Sequence, residues 1–155
     1  MAQEIERKFL ISGDGWKSGV ESSARLQQGY LSTSAKATVR VRIYDDSDAV
    51  LTLKGKPEGV SRAEFEYAIP IEDARELMEM SRPNVIEKRR YNVPFKAHTW
   101  EVDVFEGHHS GLVLAEVEMQ SIEEHVELPP WIGREVSHDD RYANASLSRT
   151  PGIPE

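Results

Sequence analysis

The chain has no cysteine, which removes disulfides, zinc–thiolate centres, iron–sulfur clusters and thiol nucleophiles together. No apolar run approaches the ~20 residues that span a bilayer as a helix. The first nine residues hold no apolar stretch of the kind that marks a secretory signal. Basic residues are the minority: 19 Lys and Arg stand against 27 Asp and Glu, for a formal charge of −8. A surface with that balance is not a general nucleic-acid clamp. Tandem repeats and low-complexity linkers are also missing. What remains is 155 residues, 39% apolar and 30% charged, enough for one core and one domain. The expectation is a single domain over residues 1–149, located in the cytoplasm, with no membrane or nucleic-acid partner, followed by a flexible Pro- and Gly-containing tail at 150–155.

Short segments between turn residues dominate the chain. Strands are expected at residues 5–11, 26–31, 38–44, 49–56, 62–69, 85–93, 99–105 and 112–119. The turn signals between them include Asp45-Asp46-Ser47-Asp48, Lys56-Pro57-Glu58-Gly59 and the Gly-flanked pair His108-His109. That pair reads as a solvated loop, not as metal ligands. Eight strands at this spacing suggest a sandwich or a barrel. Helices are expected over 72–81, over 121–128, where Ser121 and Glu124 have capping-box spacing, and over 137–147.

Side chains at i, i+2 and i+4 of a strand share a face. That period sorts the charges. Glu4, Glu6 and Lys8 lie on one face, with Ile5 and Phe9 on the other. Arg40 and Arg42, Lys54 and Lys56, Glu64 and Glu66, Lys88 and Arg90, Glu101 and Asp103, and Glu116 and Glu118 repeat the arrangement. Most pairs are pure in sign. A sheet with one solvated face accounts for any one of these strands. The set is harder to explain that way, because like charges spaced by two on one face repel. A ligand of opposite charge offsets such repulsion.

Closing the sheet with its charged face inward gives an eight-stranded barrel wide enough for one small ligand. The apolar face, including Trp100 and Trp131, then points outward under the helices, while Lys56, beside the turn at Pro57, faces solvent. Carboxylates crowded inside need bases or hard cations as partners. With two divalent cations added, the lumen becomes net positive and suits a compact polyanion. Arg and Lys in such numbers point to phosphate oxygens, and bases with Mg²⁺ around a phosphate chain are what phosphoryl transfer needs.

The opening Glu4-Ile5-Glu6-Arg7-Lys8 resembles the E-x-E-x-K signature of the CYTH superfamily, the triphosphate tunnel metalloenzymes. Arg40-Val41-Arg42, Thr52-Leu53-Lys54, Glu64 with Glu66, Glu87-Lys88-x-Arg90-Tyr91, Glu101-Val102-Asp103-x-Phe105, Glu116-Val117-Glu118 and Asp139-x-Arg141-Tyr142-x-Asn144 follow in matching order. The resemblance implies a mainly β, α+β protein: a closed eight-stranded antiparallel tunnel with a few helices outside, binding triphosphates with Mg²⁺ or Mn²⁺, two ions in all. The segment from Arg25 to Leu31 is most similar to the short bacterial tripolyphosphatases. The implied activity is hydrolysis of a triphosphate by metal-activated water. Alternatives are a class IV-type adenylyl cyclase or a thiamine-triphosphatase of the same family, or a non-catalytic polyphosphate- or nucleotide-binding module.

By the same resemblance, Glu4, Glu6, Glu116 and Glu118 are the metal ligands. Lys8, Arg40, Arg42, Lys54, Lys88, Arg90 and Arg141 grip the phosphates. Lys8 and Tyr30 form a pair at the catalytic end, with Glu4 and Glu6 also catalytic through the metal. Glu64, Glu66, Glu101 and Asp103 stand behind the ligands or orient the bases. One departure is Asp140, where related chains often carry Lys; it removes a basic contact from the C-terminal segment. The partner implied is a small triphosphate, with the protein a monomer or homodimer.

Overall fold

The structure, a computed structural model, describes residues 3–34 and 36–154; residues 1, 2 and 35 of the expected domain and residue 155 of the expected tail lie outside these. The alternating segments form β1 (Gln3–Ile11), β2 (Ser22–Thr33), β3 (Ala37–Tyr44), β4 (Asp48–Gly55), β5 (Ser61–Ile69), β6 (Val85–Phe95), β7 (His98–Phe105) and β8 (Val113–Glu118). All neighbours run antiparallel, in the order β5-β4-β3-β2-β6-β7-β8-β1, and β5 pairs β1 to close the barrel. A strand the sequence pattern did not reveal, β9 (Ile132–Glu135), adds to the same edge of β1. That edge is divided: Gln3–Ile5 pair with β5, whereas Phe9 and Ile11 pair with β9. The other edge of β1 meets β8, with Glu6 opposite Glu118 and Lys8 opposite Glu116. Among the described residues, no helix is long and apolar enough to cross a membrane.

The apolar faces point outward and are covered over much of the barrel, while Leu53 of β4 and Phe65 and Tyr67 of β5 stay exposed. α1 (Ile71–Ser81) lies over β2, β3 and β4, burying Ala74 and Met78 against Val41, Ile43 and Ala49. Its contact with β2 depends on Gly29: a Cβ there would sit 2.6 Å from Ser81 Cβ and Oγ and 3.0 Å from Met78 Sδ. A second outer cluster gathers Ile5, Phe9, Val102, Val117, Trp100 and Trp131, with Trp100 edge-on to both Phe9 and Trp131 at 5.5 and 5.9 Å between ring centroids. A 3₁₀ turn at Gly15–Gly19 brings Trp16 onto Tyr91 of β6.

Two expected helices take other forms. Residues 121–128 are not helical. A single turn, with Glu124 N–H donating to Ser121 O, gives way to extended chain, and Val126 is buried in the outer cluster. The segment is short for a helix to propagate, and Pro129-Pro130 bias the preceding residue away from it. Glu124 does reach back, but to the Gln120 N–H at 2.6 Å, one residue before the expected cap, and it also pairs with His98, so the capping box is not made. Residues 137–147 break into a 3₁₀ turn at Asp140–Tyr142 and a short α2 (Asn144–Arg149), with Ala143 extended between them. In one continuous helix Tyr142 and Leu147, five residues apart, would point about 140° away from each other. The break lets both enter one apolar cluster.

That cluster decides which end of the barrel is open. Four adjacent inward-facing rows run from charged to apolar: Glu4, Glu6, Lys8, Leu10 on β1; Glu118, Glu116, Leu114 on β8; Glu101, Asp103, Phe105 on β7; Arg90, Lys88, Ile86 on β6. Leu10, Tyr30, Ile86, Phe105 and Leu114 pack with Tyr142 and Leu147, so the C-terminal segment plugs the apolar end. The pair His108-His109 is split, correcting the solvated-loop expectation. His108 is exposed, but His109 is buried and its Nε2 lies 2.7 Å from Leu147 O and 3.0 Å from Thr150 O, pinning the plug.

Candidate active site

The charged ends of the rows surround a cavity of about 190 Å³. Its lining unites strands distant in sequence: Glu4 and Glu6 from β1, Arg40, Arg42 and Tyr44 from β3, Lys54 from β4, Glu64 and Glu66 from β5, Arg90 from β6, Glu101 from β7, and Glu116 and Glu118 from β8. Asn144, at the start of α2, completes it. The cavity has two sides. β3 and β6 present guanidinium groups; β1 and β8 present carboxylates.

On the basic side, Arg42 Nε donates to Gln28 Oε1 at 2.9 Å and its Nη1 to Tyr44 Oη at 3.0 Å. Burial, reinforced by Arg40 and Arg90, lowers the Arg42 pKa, so the group lacks compensating negative charge. Arg40 reaches Thr52 Oγ1 at 3.3 Å and Glu66 only at 4.0 Å. Its Nε is buried without an acceptor among the described residues. A buried guanidinium donor left open is costly, and an anion in the cavity would satisfy it. Arg90 is the exception on this side: it grips Asp103 with two bonds of 2.8 and 2.9 Å, and also reaches Glu101 at 3.1 Å and Glu116 at 3.6 Å.

On the acidic side, Lys54 Nζ lies 2.9 Å from Glu4 and 3.6 Å from Glu64. Burial opposes ionisation of Glu4, but Lys54 holds its pKa below the ordinary value. Glu116 is held well below the carboxylate range: burial again opposes, and Lys8, Arg90 and Lys88 prevail. Glu6 is the reverse case. Burial, then the Glu116 and Glu4 carboxylates, push its pKa well above the usual range. Glu6 is thus the carboxylate most in need of a cation. Among the described residues no three acidic or His side chains form a preassembled metal cage. The donor set is nevertheless all carboxylate oxygen, the chemistry that hard divalent cations take, and the repulsion around Glu6 fits an added positive charge.

Other expected site residues lie deeper or outside. Lys8 lines an adjoining cavity of about 280 Å³ that shares Glu4 and Glu6 with the first. Its Nζ donates to Tyr142 O at 3.2 Å and lies 3.5 Å from Glu116. Burial alone would depress it, but Glu116 and Glu6 hold its pKa above the ordinary value, and Tyr30 adds to this. Tyr30 is buried, its hydroxyl accepting from Gln28 Nε2 at 2.9 Å. Lys88 is fully buried between Asp103, at 2.6 Å, and Asn144 Oδ1, at 3.0 Å. Burial, with Arg90 and Arg42 adding to it, lowers its pKa to about 7. Asp103 stays ionised despite burial because Arg90 and Lys88 flank it. Arg141 is on the exterior, paired with Asp139 at 2.7 Å, and Lys56 is exposed beyond the end of β4.

Three residues that the charge pattern did not single out shape the site: Gln28, Tyr44 and Asn144. Neutral side chains carry no alternating signal, though each sits at an inward position or in the C-terminal motif.

A closed antiparallel barrel with guanidinium groups facing carboxylates across a small lumen defines an anion-binding tunnel with a capacity for cations. The chain belongs to the CYTH domain family, whose model matches residues 2–150. It is similar to the inorganic triphosphatase of Acetivibrio thermocellus, 44% identical over 152 residues, 97% of this chain and 96% of that one. It is also similar to the inorganic triphosphatase of Nitrosomonas europaea, 36% identical over 149 residues, 94% of this chain and 96% of that one. A crystal structure of an inorganic triphosphatase superposes with a TM-score of 0.67 at 34% identity, covering 98% of this chain and all of the other.

Proposed function

We infer that this protein is a divalent-metal-dependent inorganic triphosphatase, adding water to tripolyphosphate to release orthophosphate and pyrophosphate. The observation that carries this reading is the single cavity in which Arg40, Arg42 and Arg90 face Glu4, Glu6, Glu116 and Glu118. The inorganic triphosphatases that it resembles support the same substrate.

Glu4, Glu6, Glu116 and Glu118 are the residues that would hold Mg²⁺ or Mn²⁺, two ions in this reading, which supply charge neutralisation and water activation when bound. Arg40, which reaches Glu66 only at 4.0 Å, and Arg42, which donates to Gln28 and Tyr44, bind phosphate oxygens. Lys54 and Arg90, which line the same cavity, add their positive charge to it. Lys8, kept protonated by its carboxylate neighbours, acts as a fixed positive charge rather than a base. Beside it, the Tyr30 hydroxyl accepts from Gln28 and is free to donate to an oxygen at the inner end of the lumen. Lys88 and Asp103 support Arg90 from below.

The test is phosphate release from tripolyphosphate, ATP, thiamine triphosphate and pyrophosphate, each with Mg²⁺, Mn²⁺ or EDTA. Fastest turnover is expected with tripolyphosphate and a divalent ion, and none with EDTA. Cyclic AMP from ATP would favour a cyclase. Tight tripolyphosphate binding without release under every metal condition would favour a binding module, and either result overturns the reading.

A further inference from the structure

Every residue that lines the lumen sits on a barrel strand except one, which comes from the C-terminal segment. Asn144 is the residue of that segment that lines the cavity. Its carboxamide is oriented from behind. Oδ1 accepts from Lys88 Nζ at 3.0 Å and from Gln28 Nε2 at 3.3 Å. Both neighbours are donors only at these atoms, so the opposite placement of the amide would set an NH₂ group against an ammonium and a second NH₂. The oxygen therefore faces Lys88 and Gln28. The Nδ2 group, on the other limb of the amide, has no acceptor among the described residues. Two N–H donors are left beside Arg40, Arg42 and Arg90, which line the same cavity.

We propose that Asn144 is a substrate-binding residue, donating from Nδ2 to a phosphate oxygen of the bound triphosphate. This rests on reading the cavity as a triphosphate site. It gives the C-terminal plug a part in recognition: the segment that seals the apolar end also supplies the amide in a lumen otherwise lined, among the described residues, by charged groups and Tyr44. Lys88 and Gln28 position this amide, and Lys8, donating to Tyr142 O at 3.2 Å, holds the preceding turn in place.

The experiment compares wild type, Asn144→Asp, Asn144→Ala and Leu147→Ala. Asn144→Asp keeps an acceptor for Lys88 but replaces the donor with a negative oxygen. Asn144→Ala removes both groups. Leu147→Ala loosens the plug and leaves the amide intact. Calorimetry with tripolyphosphate in EDTA reads affinity, steady-state kinetics with Mg²⁺ reads KM and kcat, and thermal melting reads the fold. Loss of a hydrogen bond to a charged group predicts at least about a tenfold weaker affinity and higher KM for Asn144→Asp, with a smaller loss for Asn144→Ala and melting close to wild type. Affinities and KM within twofold of wild type in both Asn144 variants would overturn the proposal. An equal KM rise in Leu147→Ala would do the same, assigning the effect to plug packing. If Asn144→Asp fails to fold, Asn144→Ala carries the same reading. Should wild type not turn over tripolyphosphate, the functional reading fails, and the calorimetric arm still decides whether Asn144 contacts the anion.

Discussion

Lys88 Nζ and Asp103 Oδ2 lie 2.6 Å apart with neither side chain reaching solvent. The same carboxylate also takes two bonds from Arg90. One carboxylate thus holds two buried cations at the base of the charged lumen. Removing it leaves both without compensation, and truncating one partner of such a buried network costs about 3–5 kcal/mol. Asp103→Ala is expected to lose stability on that scale in denaturant unfolding; a loss below about 1 kcal/mol would show that the network contributes little.

Lys88 also sets a pH dependence. Its folded pKa of about 7 lies below the ordinary 10.5. Between those values the unfolded chain carries a proton that the folded chain has released, so this group makes stability rise with pH across the window. The slope is at most about 1.4 kcal/mol per pH unit. Relative to Lys88→Met, whose folded form still has Arg90 on Asp103, wild type should gain stability from pH 7 to pH 10. A flat difference between the two unfolding profiles would refute the shift.

The repulsion around Glu6 separates metal binding from folding. Converting Glu4 and Glu6 together to Gln should cut metal-dependent phosphate release at least about a hundredfold. Glu6→Gln alone removes a carboxyl that burial, Glu116 and Glu4 all disfavour as an anion. Its melting temperature without metal should equal or exceed that of wild type, while the stabilisation that wild type gains from added Mg²⁺ or Mn²⁺ should shrink. Undiminished turnover in the double variant would remove these residues from the metal site.

The approach of α1 to β2 gives a structural prediction. Gly29→Ala places a methyl 2.6 Å from Ser81 Cβ, an atom with no rotamer to escape into. Overpacking of this kind costs about 1–3 kcal/mol. Combining it with Ser81→Gly should recover much of that loss in chemical denaturation; no recovery would mean that the strain lies elsewhere.

The residue pattern made the barrel legible because strand alternation is local. Glu4, Glu6 and Lys8 share a face whatever the rest of the chain does, and the same holds for Arg40 with Arg42 and for Glu116 with Glu118. Elements whose form depends on distant contacts were not legible in this way. Residues 121–128 have the spacing of a capped helix, yet Val126 is drawn into the outer core and Pro129-Pro130 end the turn. β9 exists only because the edge of β1 beyond β5 is open. Asn144 and Gln28 are neutral and carry no charge signal, so their place around the cavity shows only when the C-terminal segment is seated against β2 and β6.

Residue order was enough to specify which side chains share a face, their sign, and a sheet that must hide its apolar side, since these follow from the two-residue repeat of extended chain. Closure of the sheet, the facing of Arg40 and Arg42 towards Glu4 and Glu6 across about 190 Å³, the depth at which Lys88 is buried, and the sealing of one end by Tyr142 and Leu147 came from folding. Each of those depends on groups far apart along the chain meeting in space, where burial and the sum of neighbouring charges, not local sequence, set what a side chain can do.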